Sequence, residues 1–134
     1  MSEKYEIRHR DRNVAGSLVP FISTINQIRR NNPALHSNET LQFHPIDNPN
    51  MIAYSKSTRD LTNVVLVIVN LDPLYQQSGW VDVDLPRLGL GPNDTYVVED
   101  LLNGPIYTWQ GRRNYVALRP GGQPAHIFRL NPRP

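Results

Sequence analysis

From Thr40 onward the chain consists of short apolar segments separated by turn residues, and this pattern limits the fold more than any other feature. In most segments apolar and polar residues alternate, as in a strand with one buried face. The segments recur at roughly the 8–12-residue spacing of β-sandwiches. They are Leu41–His44, Met51–Ser57, Val64–Val69, Trp80–Asp84, Tyr96–Glu99, Ile106–Trp109, Tyr115–Leu118 and Ala125–Leu130. We therefore predict an all-β fold, an antiparallel two-sheet β-sandwich of about eight strands of the Greek key type.

Two segments carry more detailed expectations. Val64–Val69 is continuously apolar, which predicts a central strand covered on both faces. Asn103-Gly104 stands before Ile106–Trp109 and predicts a tight hairpin, because Asn-Gly favours the two-residue turns that join antiparallel strands.

One amphipathic α-helix is predicted before the strands, from Ser17 to Asn31. Ser17 suits the N-cap, and Pro33 ends the helix. The apolar residues at helical spacing are Leu18, Phe21, Ile22, Ile25 and Ile28. This stripe must cover an apolar surface, which need not lie within this chain.

Charge and composition exclude several classes of protein. The chain has 14 Lys and Arg against 12 Asp and Glu, a formal net charge of +2, and no cysteine. We expect no nucleic-acid or membrane partner, because either would need a clustered basic excess. The absence of cysteine excludes disulfides, thiol catalysis and Cys-based zinc sites. No apolar run approaches the ~18 residues of a membrane span, and no signal-peptide pattern begins the chain, so we expect a cytoplasmic protein.

The polar residues predict no catalytic, metal or cofactor site. Asp82 and Asp84 alternate with valines, which places both on the solvated face of a strand. Glu99-Asp100 precedes a hairpin, where Asp commonly caps the turn. The histidines lack metal-ligand spacing, and no Gly-x-Ser-x-Gly or phosphate-binding loop occurs. The histidines are His9, His36, His44 and His126.

Four aromatic residues leave two interpretations open. Tyr107 and Trp109 share one strand face, and with Trp80 and Tyr115 they could form a platform that stacks on sugar rings. Aromatic pairs across strands also fill the core of a sandwich, and packing in a core or an interface is the favoured interpretation.

Several motifs resemble the α-amylase superfamily. Ser17–Ile22 followed by Ile28–Leu35 resembles the last barrel helix of these enzymes with its Arg-Arg-x-x-Pro-Ala-Leu exit. Val64–Pro73 resembles an early strand of their C-terminal β domain. Asp100–Gly104, followed by Tyr107, resembles the Asp-Leu-Leu-Thr/Asn-Gly-x-x-Tyr hairpin of that domain.

Within the superfamily, the chain is most similar to the bacterial maltosyltransferases that extend α-1,4-glucans from maltose 1-phosphate. The matching segments are Ser2–Arg8, Asn70–Pro73 and Trp109 before Asn114–Val116. The resemblance implies that residues 1–35 are the tail of a severed (β/α)8 catalytic barrel with its last helix. Residues 36–134 would then be the C-terminal β-sandwich, which stabilises and covers the barrel.

The resemblance also implies where the chemistry lies. The family uses a retaining double displacement with an Asp nucleophile, a Glu acid/base and a second Asp, all on barrel strands. None of those motifs occurs here, so this chain alone is expected to be non-catalytic, with the barrel as an intramolecular partner and α-glucan reached through the parent enzyme. Three alternatives remain: an independent module that binds α-glucan, the C-terminal domain of a hydrolase or other transglycosidase, and an immunoglobulin-like interaction domain. The missing Cys-Trp-Cys pattern weighs against the last.

Overall fold

The computed structural model describes residues 22–120 and 124–131. The chain divides into two compact units, Met1–Asn31 and Asn32–Pro134. In the first unit residues 22–31 form α1, which agrees with the predicted helix over that range. The predicted N-cap Ser17 lies outside the described residues. The second unit opens with a 3₁₀ turn, Pro33–His36, and continues as strands.

Every predicted strand segment forms a strand, with small shifts in its bounds. The strands are β1 Gln42–His44, β2 Met51–Ser57, β3 Val64–Asn70, β4 Gln77–Asp82, β5 Thr95–Asp100, β6 Ile106–Gln110, β7 Arg113–Leu118 and β8 Ala125–Asn131. The largest shift is in β4, which begins before Trp80 and ends before Val83.

The strands form two antiparallel sheets of unequal width. One sheet has the order β1-β2-β3-β8-β5-β6, and the other consists of β4 and β7. All strand pairs in the described residues are antiparallel. β8 returns to pair with β5, which is the connection that defines a Greek key. The predicted two-sheet β-sandwich is confirmed.

β3 is the central strand of the larger sheet, as predicted, and both of its faces are buried. Leu66 and Ile68 face the main core between the sheets. Val65 and Val67 belong to a second apolar cluster on the outer face, where Ala34 of the 3₁₀ turn packs against them. A strand buried on both faces carries an unbroken apolar run because neither side of the pleat meets water.

The connection between β5 and β6 differs from the predicted two-residue hairpin. Residues 101–105 separate the strands. The Asp100 carboxylate is buried and accepts hydrogen bonds from the N–H groups of Leu102 and Asn103, both at 3.0 Å. Gly104 has φ +96° and donates its N–H to the carbonyl of Asp100 at 2.8 Å. These bonds stabilise a longer turn, so the prediction of a tight Asn-Gly hairpin is wrong.

Candidate functional site

A groove of about 280 Å³ opens on one side of the sandwich, where edge strand β6 of the larger sheet lies beside β7 of the smaller sheet. We call it the side groove. Its main lining residues are Tyr107, Trp109, Tyr115, Val116, His126 and Phe128. It is the strongest candidate for a binding site because it is concave, largely aromatic and formed by strands rather than by loops.

The floor of the side groove belongs to the main core. Phe128 on β8 is buried, and Trp109 on β6 is half-buried against that core. The two rings meet edge to face, with centroids 5.5 Å apart and an interplanar angle of 82°. Trp109 also meets buried Tyr96 edge to face at 6.2 Å. Aromatic packing of this kind holds the floor in one conformation.

The rim includes two exposed tyrosines, Tyr107 on β6 and Tyr115 on β7, which belong to different sheets. Tyr107 is 42% exposed and Tyr115 is 55% exposed. The Tyr107 ring packs on Phe128 at 6.2 Å, and the Tyr115 ring packs on Trp80 at 5.6 Å. Within the described part of the chain, neither hydroxyl hydrogen-bonds to a protein group. Each rim residue therefore offers an aromatic face and a hydroxyl to a ligand.

Trp80 lies outside the side groove, on the outer face of the β4–β7 ribbon. It stands opposite Tyr115 in the strand register, is 45% exposed, and has the Arg113 guanidinium carbon 5.5 Å from its ring centroid. The four aromatic residues selected from the sequence thus do not form one flat surface. Tyr107, Trp109 and Tyr115 line the groove, and Trp80 packs on Tyr115 from the neighbouring strand, on the same face of the ribbon.

His126 was considered in the sequence only as a metal ligand, yet it lines the groove. Its ring stacks on Phe128 with centroids 4.5 Å apart, and its Nδ1 lies 3.7 Å from the buried Asp100 carboxylate. Burial lowers the pKa of His126 below its ordinary value, although Asp100 opposes that shift. The imidazole is therefore neutral at pH 7. Only the β3–β8–β5 pairing brings His126 and Phe128 here, and no local pattern in the sequence reports that pairing.

A buried hydrogen-bond network at the β6–β7 turn positions the groove walls. Asn114 on β7 donates from Nδ2 to the Tyr96 hydroxyl and to the Gly111 carbonyl, both at 3.1 Å. The Tyr96 hydroxyl donates to the same carbonyl at 2.9 Å. Burial raises the pKa of Tyr96 to about 12, so the phenol stays protonated and remains a donor. β7 is thereby held beside β6.

A second histidine, His44, is hydrogen-bonded to a serine, as in a catalytic serine–histidine pair, but its role here is structural. His44 Nε2 lies 2.7 Å from the Ser55 hydroxyl, and both residues are buried. The N–H of Asp84 donates to His44 Nδ1 at 3.3 Å, so the ring proton sits on Nε2 and is donated to Ser55. His44 cannot accept the Ser55 proton in this arrangement, and the pair therefore does not form a nucleophile.

The carboxylates considered for catalysis have structural partners. Asp82 accepts a hydrogen bond from Arg112 at 2.6 Å, and Glu99 pairs with Arg129 at 2.7 Å. Asp84 accepts a hydrogen bond from the Gln42 amide at 3.3 Å. Among residues 22–120 and 124–131, no cluster of three or more His, Asp or Glu could hold a metal ion. Over the same residues, no helix is long and apolar enough to cross a membrane.

Comparison with known proteins matches a family model to part of the second unit and longer relatives to almost the whole chain. A family model described as "GLGE, C-terminal" matches residues 43–130. An alpha-1,4-glucan:maltose-1-phosphate maltosyltransferase of Streptomyces coelicolor is 46% identical over 130 residues, covering 94% of this chain and 19% of that protein. The enzyme of the same name from Salinibacter ruber is 42% identical over 131 residues, covering 98% and 19%. The chain thus spans about a fifth of these curated relatives.

A solved structure supports the architecture independently. A crystal structure assigned as an α-N-acetylgalactosaminidase of Bacillus halodurans C-125 superposes with a TM-score of 0.51 and 13% sequence identity. The match covers 75% of this chain and 22% of that one. At this identity the likeness concerns the fold alone.

Proposed function

Because this chain belongs to the GlgE C-terminal domain family, we propose that it is the C-terminal β-sandwich of a maltosyltransferase of the α-amylase superfamily. The observation that carries this proposal is identity of 42–46% over almost the whole chain with relatives named for that activity. The enzyme takes a maltosyl group from maltose 1-phosphate and adds it to an α-1,4-glucan by retaining double displacement.

In this proposal the chemistry is performed outside the present residues. Glycoside chemistry of this type needs two carboxyl groups facing the scissile bond. The strand carboxylates here instead accept hydrogen bonds from arginines, an amide or turn N–H groups. Residues 1–35 are proposed as the end of the catalytic barrel, including its last helix, and this chain alone is proposed to be inactive.

The role of the sandwich is to cover and stabilise the barrel. On the outer face of its larger sheet, Val65 and Val67 are already buried against the Pro33–His36 turn, while Tyr54 and Ile127 beside them are half-buried. At the margin of that face Phe43 is 60% exposed and packs edge to face on Tyr54. An apolar sheet face of this kind favours contact with another domain. This proposal explains why a domain without catalytic groups is part of the enzyme.

The test uses the longer protein that contains this chain. Supplied with maltose 1-phosphate and a maltooligosaccharide, it should release phosphate and lengthen the acceptor by one maltosyl unit. The longer protein, truncated after the position of residue 35 in this chain, should aggregate, because an apolar patch of several hundred Å² would be exposed on the barrel. Free maltose as the main product would instead indicate a hydrolase. A truncated enzyme that stayed soluble and fully active would refute the covering role.

A further inference from the structure

We infer that the side groove is a binding site for a short segment of α-1,4-glucan. The choice of glucan rests on the proposed function. The existence and chemistry of the groove do not, because they follow from the residues that line it.

The lining favours a neutral ligand. The described lining residues carry no formal charge at pH 7, since His126, the one titrating in the neutral range, is held neutral by burial. Grooves that bind nucleic acid or other polyanions present lysine and arginine along the wall. A sugar segment is uncharged, and this match in charge is the first reason for the assignment.

The shape of the rim favours a ligand with apolar faces and polar edges. Tyr107 and Tyr115 line the groove from strands of different sheets, with partly exposed rings and hydroxyls that have no protein partner among the described residues. The C–H faces of a hexose pack on aromatic rings, and its hydroxyl edges exchange hydrogen bonds with phenols. A volume of about 280 Å³ is just below the range of about 300–1,000 Å³ for small-ligand sites, so the groove suits only a short segment of a sugar chain.

The site is preorganised. The Tyr96–Asn114–Gly111 network fixes β7 beside β6, and the floor is part of the core. Little conformational freedom is lost when a ligand enters such a groove. The Tyr115 ring gains further support from its edge-to-face contact with Trp80.

The experiment uses the two tryptophans of the chain as reporters. Trp80→Phe keeps an aromatic ring against Tyr115 and leaves Trp109 on the groove floor as the one tryptophan, which is excited selectively at long wavelength. Maltoheptaose added to this variant should change Trp109 fluorescence saturably. Tyr107→Ala and Tyr115→Ala should each weaken binding at least about tenfold. Tyr75→Ala is the matched control, because Tyr75 is 68% exposed and does not line the groove.

Each outcome decides the assignment. Saturable binding of maltoheptaose, lost with either rim tyrosine and kept in Tyr75→Ala, supports it. No response up to about 10 mM maltoheptaose, or equal binding by the rim variants and the control, overturns it. Binding of a proline-rich peptide in place of maltoheptaose also overturns it, since such peptides dock on aromatic grooves. Transfer by the longer protein without groove binding would refute this inference alone, and groove binding without transfer would refute only the proposed activity.

Discussion

Asn114 links β7 to β5 and to the β6–β7 turn. Its amide reaches both the Tyr96 hydroxyl and the Gly111 carbonyl from a nearly buried position. Asn114→Ala should lower the free energy of unfolding by about 1–3 kcal/mol, because it leaves buried polar groups with fewer partners. Urea denaturation monitored by far-UV circular dichroism measures this change.

Tyr96→Phe provides the comparison for that loss. It removes one hydroxyl but leaves the bond from Asn114 to the Gly111 carbonyl, so we expect a smaller cost of about 1 kcal/mol. Because the two side chains share one network, the double variant should lose less than the sum of the single losses. Strict additivity would show that the network has no coupling and would contradict the role assigned to Asn114.

Two buried histidines predict how stability responds to acid. Burial lowers the pKa of both His44 and His126 below the ordinary value of 6.5 in the folded protein, against the opposing pull of nearby aspartates. Below pH 6.5 the two histidines are therefore protonated in the unfolded chain at pH values where they remain neutral in the folded protein. The free energy of unfolding should fall as the pH drops from 6.5, and this loss should end once the pH passes the folded-state pKa values.

Urea unfolding at intervals between about pH 7.5 and 5 tests this prediction. His126→Gln should reduce the slope in this range, because it removes one of the two groups whose pKa is lowered on folding. A stability that rises on acidification would contradict the sign of both shifts.

At the scale of elements, Gly79 is where β4 meets the β1–β2 connection. A Cβ at this position would lie 2.9 Å from Asp47 Oδ1 and 3.3 Å from the Asn48 Cβ. The same Asp47 oxygen accepts the N–H of Trp80 at 2.6 Å. Gly79→Ala should therefore separate the connection from the ribbon and cost about 1–3 kcal/mol.

Gly104→Ala is the contrasting substitution. A Cβ added at Gly104 would have no other atom within 4 Å, but the φ of +96° at this position is unfavourable for alanine. We expect a loss of about 1 kcal/mol from backbone strain alone. Thermal denaturation of the two variants measures both costs. An equal or greater loss for Gly104→Ala would contradict the close packing assigned to Gly79.

The elements themselves could be predicted from the sequence, because strand period and turn residues are local signals. β3 is the clearest case, since an apolar run without alternation already implies two buried faces. The β5–β6 turn could not be predicted in detail. Asn103-Gly104 favours a tight hairpin, but the buried Asp100 carboxylate stabilises a longer turn, and burial of Asp100 depends on the assembled sheets.

The candidate site could be predicted only in part for the same reason. Tyr107 and Trp109 share a face because they are two residues apart on a strand. That Tyr115 lines the same groove, and that Trp80 does not, depends on β7 of the smaller sheet lying beside β6 of the larger one. His126 and Phe128 reach the groove through β8, which is remote from β6 in sequence. Such non-local pairings leave no periodic signal along the chain.

At the scale of the whole molecule, stability should decrease from the centre of the larger sheet to its edges. β3 and β8 each pair with strands on both sides, whereas β1 and β6 each pair on one side. Amide hydrogen exchange should therefore be slowest in β3 and β8 and fastest in β1 and β6. Mass spectrometry of peptides from each strand measures this order. Exchange as slow in β6 as in β3 would show that another contact protects the groove wall.

The unequal width of the two sheets has a consequence for how the domain tolerates change. Six strands lie on one side of the core and two on the other, so part of the core is covered by the β4–β5 connection, through Leu85, Leu88 and Leu90. A connecting segment accepts insertions at little entropic cost, whereas a paired strand does not. Because those leucines are buried, length variation can accumulate only at the exposed residues 92–94, and the rest of the connection keeps a fixed length to cover the core.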